Sequence, residues 1–147
     1  MSDAALAISN LVYRYAELLD LGQFEAVGKL FEHATITTDM SDEVRVGSAA
    51  MTAQFTEWTR RYEDGTPRTR HMTTNLIIEL GDDGTTAKAR SYYTVFQQTD
   101  ELPLQPIISG RYHDEFAVID GAWAFTKRHY INELFGDLSA HLLRPVQ

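Results

Sequence analysis

The chain has 147 residues, 44% of them hydrophobic and 23% charged, and its 13 Lys+Arg against 21 Asp+Glu leave a net charge of −8. That length fits one domain spanning 1–147 with a core large enough to stand alone, and the absence of cysteine removes disulfides, a thiolate nucleophile and Cys-ligated zinc. An acidic chain is a poor polyanion binder, Met1–Leu6 has no secretory leader pattern, and no apolar run nears the ~20 residues of a membrane helix, so nucleic acid and membrane are excluded as partners and a cytoplasmic location is expected.

From Asp3 to Leu21, Ile8, Leu11, Val12, Tyr15 and Leu19 recur at three- and four-residue steps, the stripe of an amphipathic helix. Ser2 or Asp3 is placed to cap it, and Gly22 stands where such a helix stops. A second, short helix is predicted over Phe24 to Phe31. Ala34–Thr38 and Val44–Val46 then read as a hairpin around an acidic turn at Asp39–Glu43. A third helix starts at Ser48, with Met51, Phe55, Trp58 and Tyr62 on one face, and ends at Asp64-Gly65-Thr66-Pro67.

The second half changes character. Arg70–Leu80, Thr85–Gln98, Ile107–Ile119 and Ala122–Phe135 are long strand candidates rich in Val, Ile, Thr, Tyr and Phe. Gly81-Asp82-Asp83-Gly84 and Asp120-Gly121 are hairpin turns, because Gly and Asp accept positive φ cheaply. The longer Thr99–Pro106 connection reads as a rim loop placed like a lid. Helices followed by an antiparallel meander make an α+β protein, with a curved sheet and helices across its concave side.

Several standard constellations are missing: no Gly-rich phosphate loop, no nucleophile elbow, no His-Glu-x-x-His pair. The five histidines, His33, His71, His113, His129 and His141, lack the local spacing of a metal site, and no metal is expected. Three polar residues stand out instead. Tyr15 lies within the apolar stripe of the first helix, and Asp20 sits at its C-terminal end, where the helix dipole mildly disfavours an acid. Core packing of Tyr15 and plain solvation of Asp20 account for both equally simply. His71 opens a strand in which, without a bulge, His71, Thr73 and Asn75 share one face, away from Met72, Leu76 and Ile78. Such a polar face fits either solvent exposure or a pocket wall.

Tyr15-Ala16-Glu17-Leu18-Leu19-Asp20, Leu30-Phe31, Arg70-His71-Met72-Thr73-Thr74-Asn75, and Gly110–Phe116 followed by Asp120-Gly121-Ala122-Trp123 together resemble the SnoaL-like branch of the nuclear transport factor 2-like superfamily, which includes scytalone dehydratase and bile-acid 7α-dehydratase. The resemblance spans almost the whole chain. It implies a cone: a curved antiparallel sheet wrapped around the N-terminal helices, the cystatin-like α+β barrel, enclosing a deep apolar pocket. It also implies that Asp20 pairs with His71 in acid/base catalysis, with Tyr15 as the hydroxyl donor and no metal or organic cofactor. A cofactor-independent dehydratase-like lyase, or an isomerase, acting on a hydrophobic cyclic molecule such as a steroid or polyketide is the activity this implies.

Around that dyad, Phe55, Trp58, His113, His129 and Asn132 are candidate substrate contacts, and so is one of Tyr92 and Tyr93, which face opposite sides of their strand. Asn132 shares parity with Arg128 and Tyr130. His113 and His129 fit equally as core or rim histidines. The superfamily also holds non-catalytic binding proteins and structural subunits, so those readings stand beside the enzyme. The resemblance also implies a homodimer or homotrimer paired through the outer face of the sheet, and apolar residues on both parities of the strands, such as Val95 with Phe96 and Ile107 with Ile108, fit it.

Overall fold

The computed structural model describes residues 3–145, so Ser2 as a helix cap lies outside the described residues. Its elements are α1 (Asp3–Asp20), α2 (Phe24–Leu30), β1 (Thr35–Thr38), β2 (Ser41–Val46), α3 (Gly47–Trp58), β3 (Thr69–Leu80), β4 (Thr86–Gln97), β5 (Gln105–Ile119) and β6 (Ala122–Phe135). The strands form one curved, unclosed six-stranded sheet in the order β2-β1-β6-β5-β4-β3, with β2 and β3 as its edges. Neighbours are antiparallel except β1 and β6, which run parallel because the chain crosses from the first hairpin to the far end of the meander. Among the described residues no helix is long and apolar enough to cross a membrane.

α1 buries Ile8, Ser9, Val12, Tyr15, Ala16 and Leu19, the expected stripe, and packs on β3 and β6. It stops at Gly22, whose φ of 75° lets the amides of Gly22 and Gln23 turn back onto the carbonyls of Leu19 and Leu18 at 3.0 Å. α2 and α3 pack against each other at close range, with Gly28 facing Thr52 and the Ser48 carbonyl.

α3 is shorter than the sequence predicts. It ends at Trp58, and Tyr62 lies beyond it. Thr59 is extended because it bridges Leu142, and the Arg60 amide bonds the His141 carbonyl at 2.8 Å, so pairing with the C-terminal segment replaces another helical turn. The first hairpin is likewise tighter than expected: Thr38 pairs with Ser41, leaving Asp39-Met40 as the turn.

The register of β3 differs in a way that matters for the site. A bulge falls between Thr74 and Ile77, and Asn75 takes a positive φ of 54°. His71 and Thr73 therefore face the helices, Asn75 turns out to solvent, and Leu76 and Ile78 swing inward. The pattern without a bulge put Asn75 with His71 and Leu76 off that face. One inserted residue reverses both.

Candidate active site

Asp20 is the last residue of α1, where the helix leaves acceptors rather than donors. What holds its carboxylate there comes from β3. Oδ2 accepts the backbone N–H of His71 at 2.8 Å, and Oδ1 accepts the hydroxyl of Thr69 at 2.8 Å and faces Nδ1 of the His71 ring at 2.6 Å. The Asp20 and His71 side chains are 13% and 6% exposed, so the pair is largely shielded from solvent. Asp20 fixes Nδ1 as the donor nitrogen. The Nε2 of His71 has no protein hydrogen bond among the described residues.

Tyr15 lies edge-on to the His71 ring, 6.4 Å between centroids at 82°. Its hydroxyl is 2.9 Å from that of Tyr130, and burial, with the nearby Tyr112, holds its pKa well above the ordinary phenol value, so Tyr15 stays a neutral donor. Phe55 packs on Tyr15 and Phe24. On β4 the two tyrosines separate as alternation requires: Tyr93 is buried, and Tyr92 is half-exposed on the convex face. The Tyr93 hydroxyl donates to Asn132 Oδ1 at 2.5 Å, and the Asn132 amide donates to Asp39 at 3.0 Å.

The structure turns His113 and His129 away from the face that carries the dyad. His113 and His129 are register partners on the convex side of β5 and β6, because the inward positions belong to Tyr112, Asp114, Arg128 and Tyr130. His113 is exposed, and His129 Nδ1 bonds Thr37 Oγ1 at 2.7 Å across the parallel pair. Trp58 is half-buried at the end of α3 beneath the Arg144 guanidinium, 5.3 Å from its centroid.

Two features were not visible in the sequence. The first is a fully buried ion pair: Arg128 Nε and Nη2 bond Asp114 Oδ1 and Oδ2 at 2.7 and 2.9 Å, with no exposure of either side chain. The cation lies 3.7 Å from the Tyr112 centroid and 4.3 Å from that of Tyr15. Burial works against its charge, but Asp114 outweighs it, and the Arg128 pKa stays above its usual value. The cation also lies over Phe31 and Phe125, at 5.6 and 5.2 Å, inside the buried core. Surface depressions of about 710 and 420 Å³ lie elsewhere, between α2 and α3 and on the convex face beside Tyr92. Strand parity grouped Arg128 with Tyr130 and Asn132, but pairing it with Asp114 needs the β5–β6 register.

The second is His141, in the segment after β6. It is 9% exposed, its Nδ1 is sealed without a partner, and its pKa is held down at about 4, by burial first and then by the charge of His71. Among the described residues no three His, Asp or Glu side chains converge as metal ligands.

A model of the SnoaL-like domain matches residues 1–129. Methanesulfonate monooxygenase hydroxylase subunit beta from Methylosulfonomonas methylovora is 27% identical over 143 residues, covering 86% of this chain and 78% of that one. A protein of unknown function from Mycobacterium tuberculosis superposes with a TM-score of 0.71 at 26% identity, covering 88% of this chain and 72% of that chain. A candidate scytalone dehydratase from Novosphingobium aromaticivorans shares the fold at TM-score 0.72 and 23% identity, over 91% of this chain and 87% of that chain.

Proposed function

This chain belongs to the SnoaL-like domain family, and from that membership we propose that it is a cofactor-independent acid/base enzyme, a dehydratase-like lyase or an isomerase of hydrophobic cyclic molecules. The observation that carries the reading is the 2.6 Å contact of Asp20 with His71 Nδ1, which leaves Nε2 without a protein partner among the described residues. A carboxylate on one ring nitrogen fixes the tautomer and stabilises the imidazolium that forms when the other takes a proton.

In this reading His71 Nε2 removes a proton from a carbon next to a carbonyl. Negative charge develops on the carbonyl oxygen, and Tyr15 donates to it while Tyr130 donates to Tyr15. In an elimination the C–H electrons form the new double bond, the β-hydroxyl leaves, and the His71 imidazolium returns its proton to it as water. In an isomerisation the same proton returns to another carbon. The Asn132–Tyr93 contact and Phe55 would border the ligand. Tyr92, Trp58, His113 and His129 have no part in this reading.

The test is exchange chemistry common to all these outcomes. 2-Decalone incubated with the protein in D2O is expected to gain deuterium beside its carbonyl, and His71→Gln and Asp20→Asn should each slow this by about 10²–10⁴-fold. Wild-type exchange no faster than in buffer would sink the enzyme reading.

A second reading has its own support. The likeness to a hydroxylase subunit beta favours a structural subunit of an oxygenase-type complex. Half-exposed or exposed Tyr92, Leu134, Phe135 and Met72 on the sheet suit self-association as a homodimer or homotrimer. Size-exclusion with light scattering should give a multiple of 16.7 kDa.

A further inference from the structure

The segment after β6 is fastened in place by backbone and side-chain bonds. The Arg60 amide donates to the His141 carbonyl and the Leu143 amide to the Trp58 carbonyl, each at 2.8 Å. The Ala140 carbonyl accepts the Tyr62 hydroxyl at 2.5 Å and Gln97 Nε2 at 3.2 Å. Gln97 is in turn the register partner of Thr69, whose hydroxyl bonds Asp20. His141 is thus attached, one residue along, to the rim that holds the Asp20–His71 pair.

This rim carries polar groups that the protein leaves unsatisfied. His141 Nδ1 and Gln97 Oε1 are both sealed from solvent without a hydrogen-bond partner, and so is Thr73 Oγ1, two residues along β3 from His71 on the same inward face. A buried polar atom left unpaired costs about 1–3 kcal/mol, and native proteins tolerate few, so the unpartnered His141 Nδ1 marks a place where a polar atom of a ligand completes the set. His71 and Asp20 both act electrostatically on His141.

We propose that His141 is a ligand-contacting residue of the Asp20–His71 site, its ring bonding through Nδ1 to a hydroxyl of the bound molecule. The inference rests on the acid/base reading of that site and adds a requirement: the ligand carries a hydroxyl within reach of the second imidazole, so an all-hydrocarbon ring is not its ligand. A neutral imidazole suits the role because it is either donor or acceptor to a hydroxyl, according to tautomer.

The test uses 2-naphthol and naphthalene as probes on the full chain. Ring nitrogens of His71 and His141 are followed by ¹⁵N NMR, with affinities for wild type, His141→Gln and His141→Phe. The expected result is that 2-naphthol shifts both rings, that His141→Phe weakens 2-naphthol about tenfold with naphthalene unchanged, and that His141→Gln restores most of the difference. Shifts at His71 alone, with 2-naphthol affinity unchanged in folded His141→Phe, overturn the role of His141 and leave the dyad standing. Silence at both rings overturns this proposal, and loss of 2-decalone exchange is then the separate measure that removes the dyad reading. Thermal melts of both variants separate lost binding from lost fold.

Discussion

Asp20 binds His71 twice, through the backbone amide at 2.8 Å and through the ring Nδ1 at 2.6 Å. Two bonds from one carboxylate to one residue fix both the strand and the rotation of its imidazole, with Thr69 as a third donor. A helix end and a strand start are thereby welded at the point where chemistry is proposed.

Removing that carboxylate tests the weld. Asp20→Ala leaves the His71 amide and the Thr69 hydroxyl without an acceptor and should cost about 2–4 kcal/mol. Asp20→Asn keeps an acceptor and should cost less. Urea melts of the two variants check the order; equal losses would show that the contacts contribute little.

The buried ion pair has a distinct signature. Arg128→Met alone strands Asp114 in the core and should destabilise by about 3–5 kcal/mol, whereas Arg128→Met with Asp114→Leu should recover most of that loss. A double-mutant cycle from denaturant unfolding reads the coupling directly.

His141 makes stability depend on acid. Its folded pKa of about 4 lies below the 6.5 of a free imidazole, so between those values the unfolded chain binds the proton and the folded chain does not. The contribution, on the order of a few kcal/mol, is complete above pH 6.5, falls as pH drops toward 4, and is flat below. His71 and Asp20 are the charged groups acting on it. Unfolding free energies across this window should slope upward with pH in wild type, and His141→Gln should remove that part of the slope.

Gly28 reverses the usual propensity rule. In an exposed helix Gly→Ala gains about 1 kcal/mol, but a Cβ here would meet the Ser48 carbonyl at 2.7 Å and collide with Thr52. Gly28→Ala should therefore lower the melting temperature, and Thr52→Ser beside it should not rescue the backbone clash.

Elements were legible where local chemistry decides them. Gly22, Gly84 and Asp120-Gly121 end their segments at positive φ as turn residues do, and the stripe of α1 matched its buried face. Asp20 and His71 were legible only through the family resemblance; in the structure they lie 2.6 Å apart. The bulge at Asn75 was not, since a positive φ at Asn carries no signature in periodicity, and it moved Asn75 out and Leu76 in. Tyr92 and Tyr93 could be separated only once the register was known. His141 was missed as a neighbour of the dyad because its place depends on Thr59, Tyr62 and Gln97, residues 44 to 82 positions away.

The parallel alignment of β1 with β6 also orders events in time. On the ribosome the first hairpin is made early, yet the strand it must join is residues 122–135, the last to emerge. Until then β1 and the outer edge of β5 are both unpaired templates for other chains. A nascent chain halted before Ala122 should stay protease-sensitive through its N-terminal half, and release of the final strand should protect both ends of the molecule in one step.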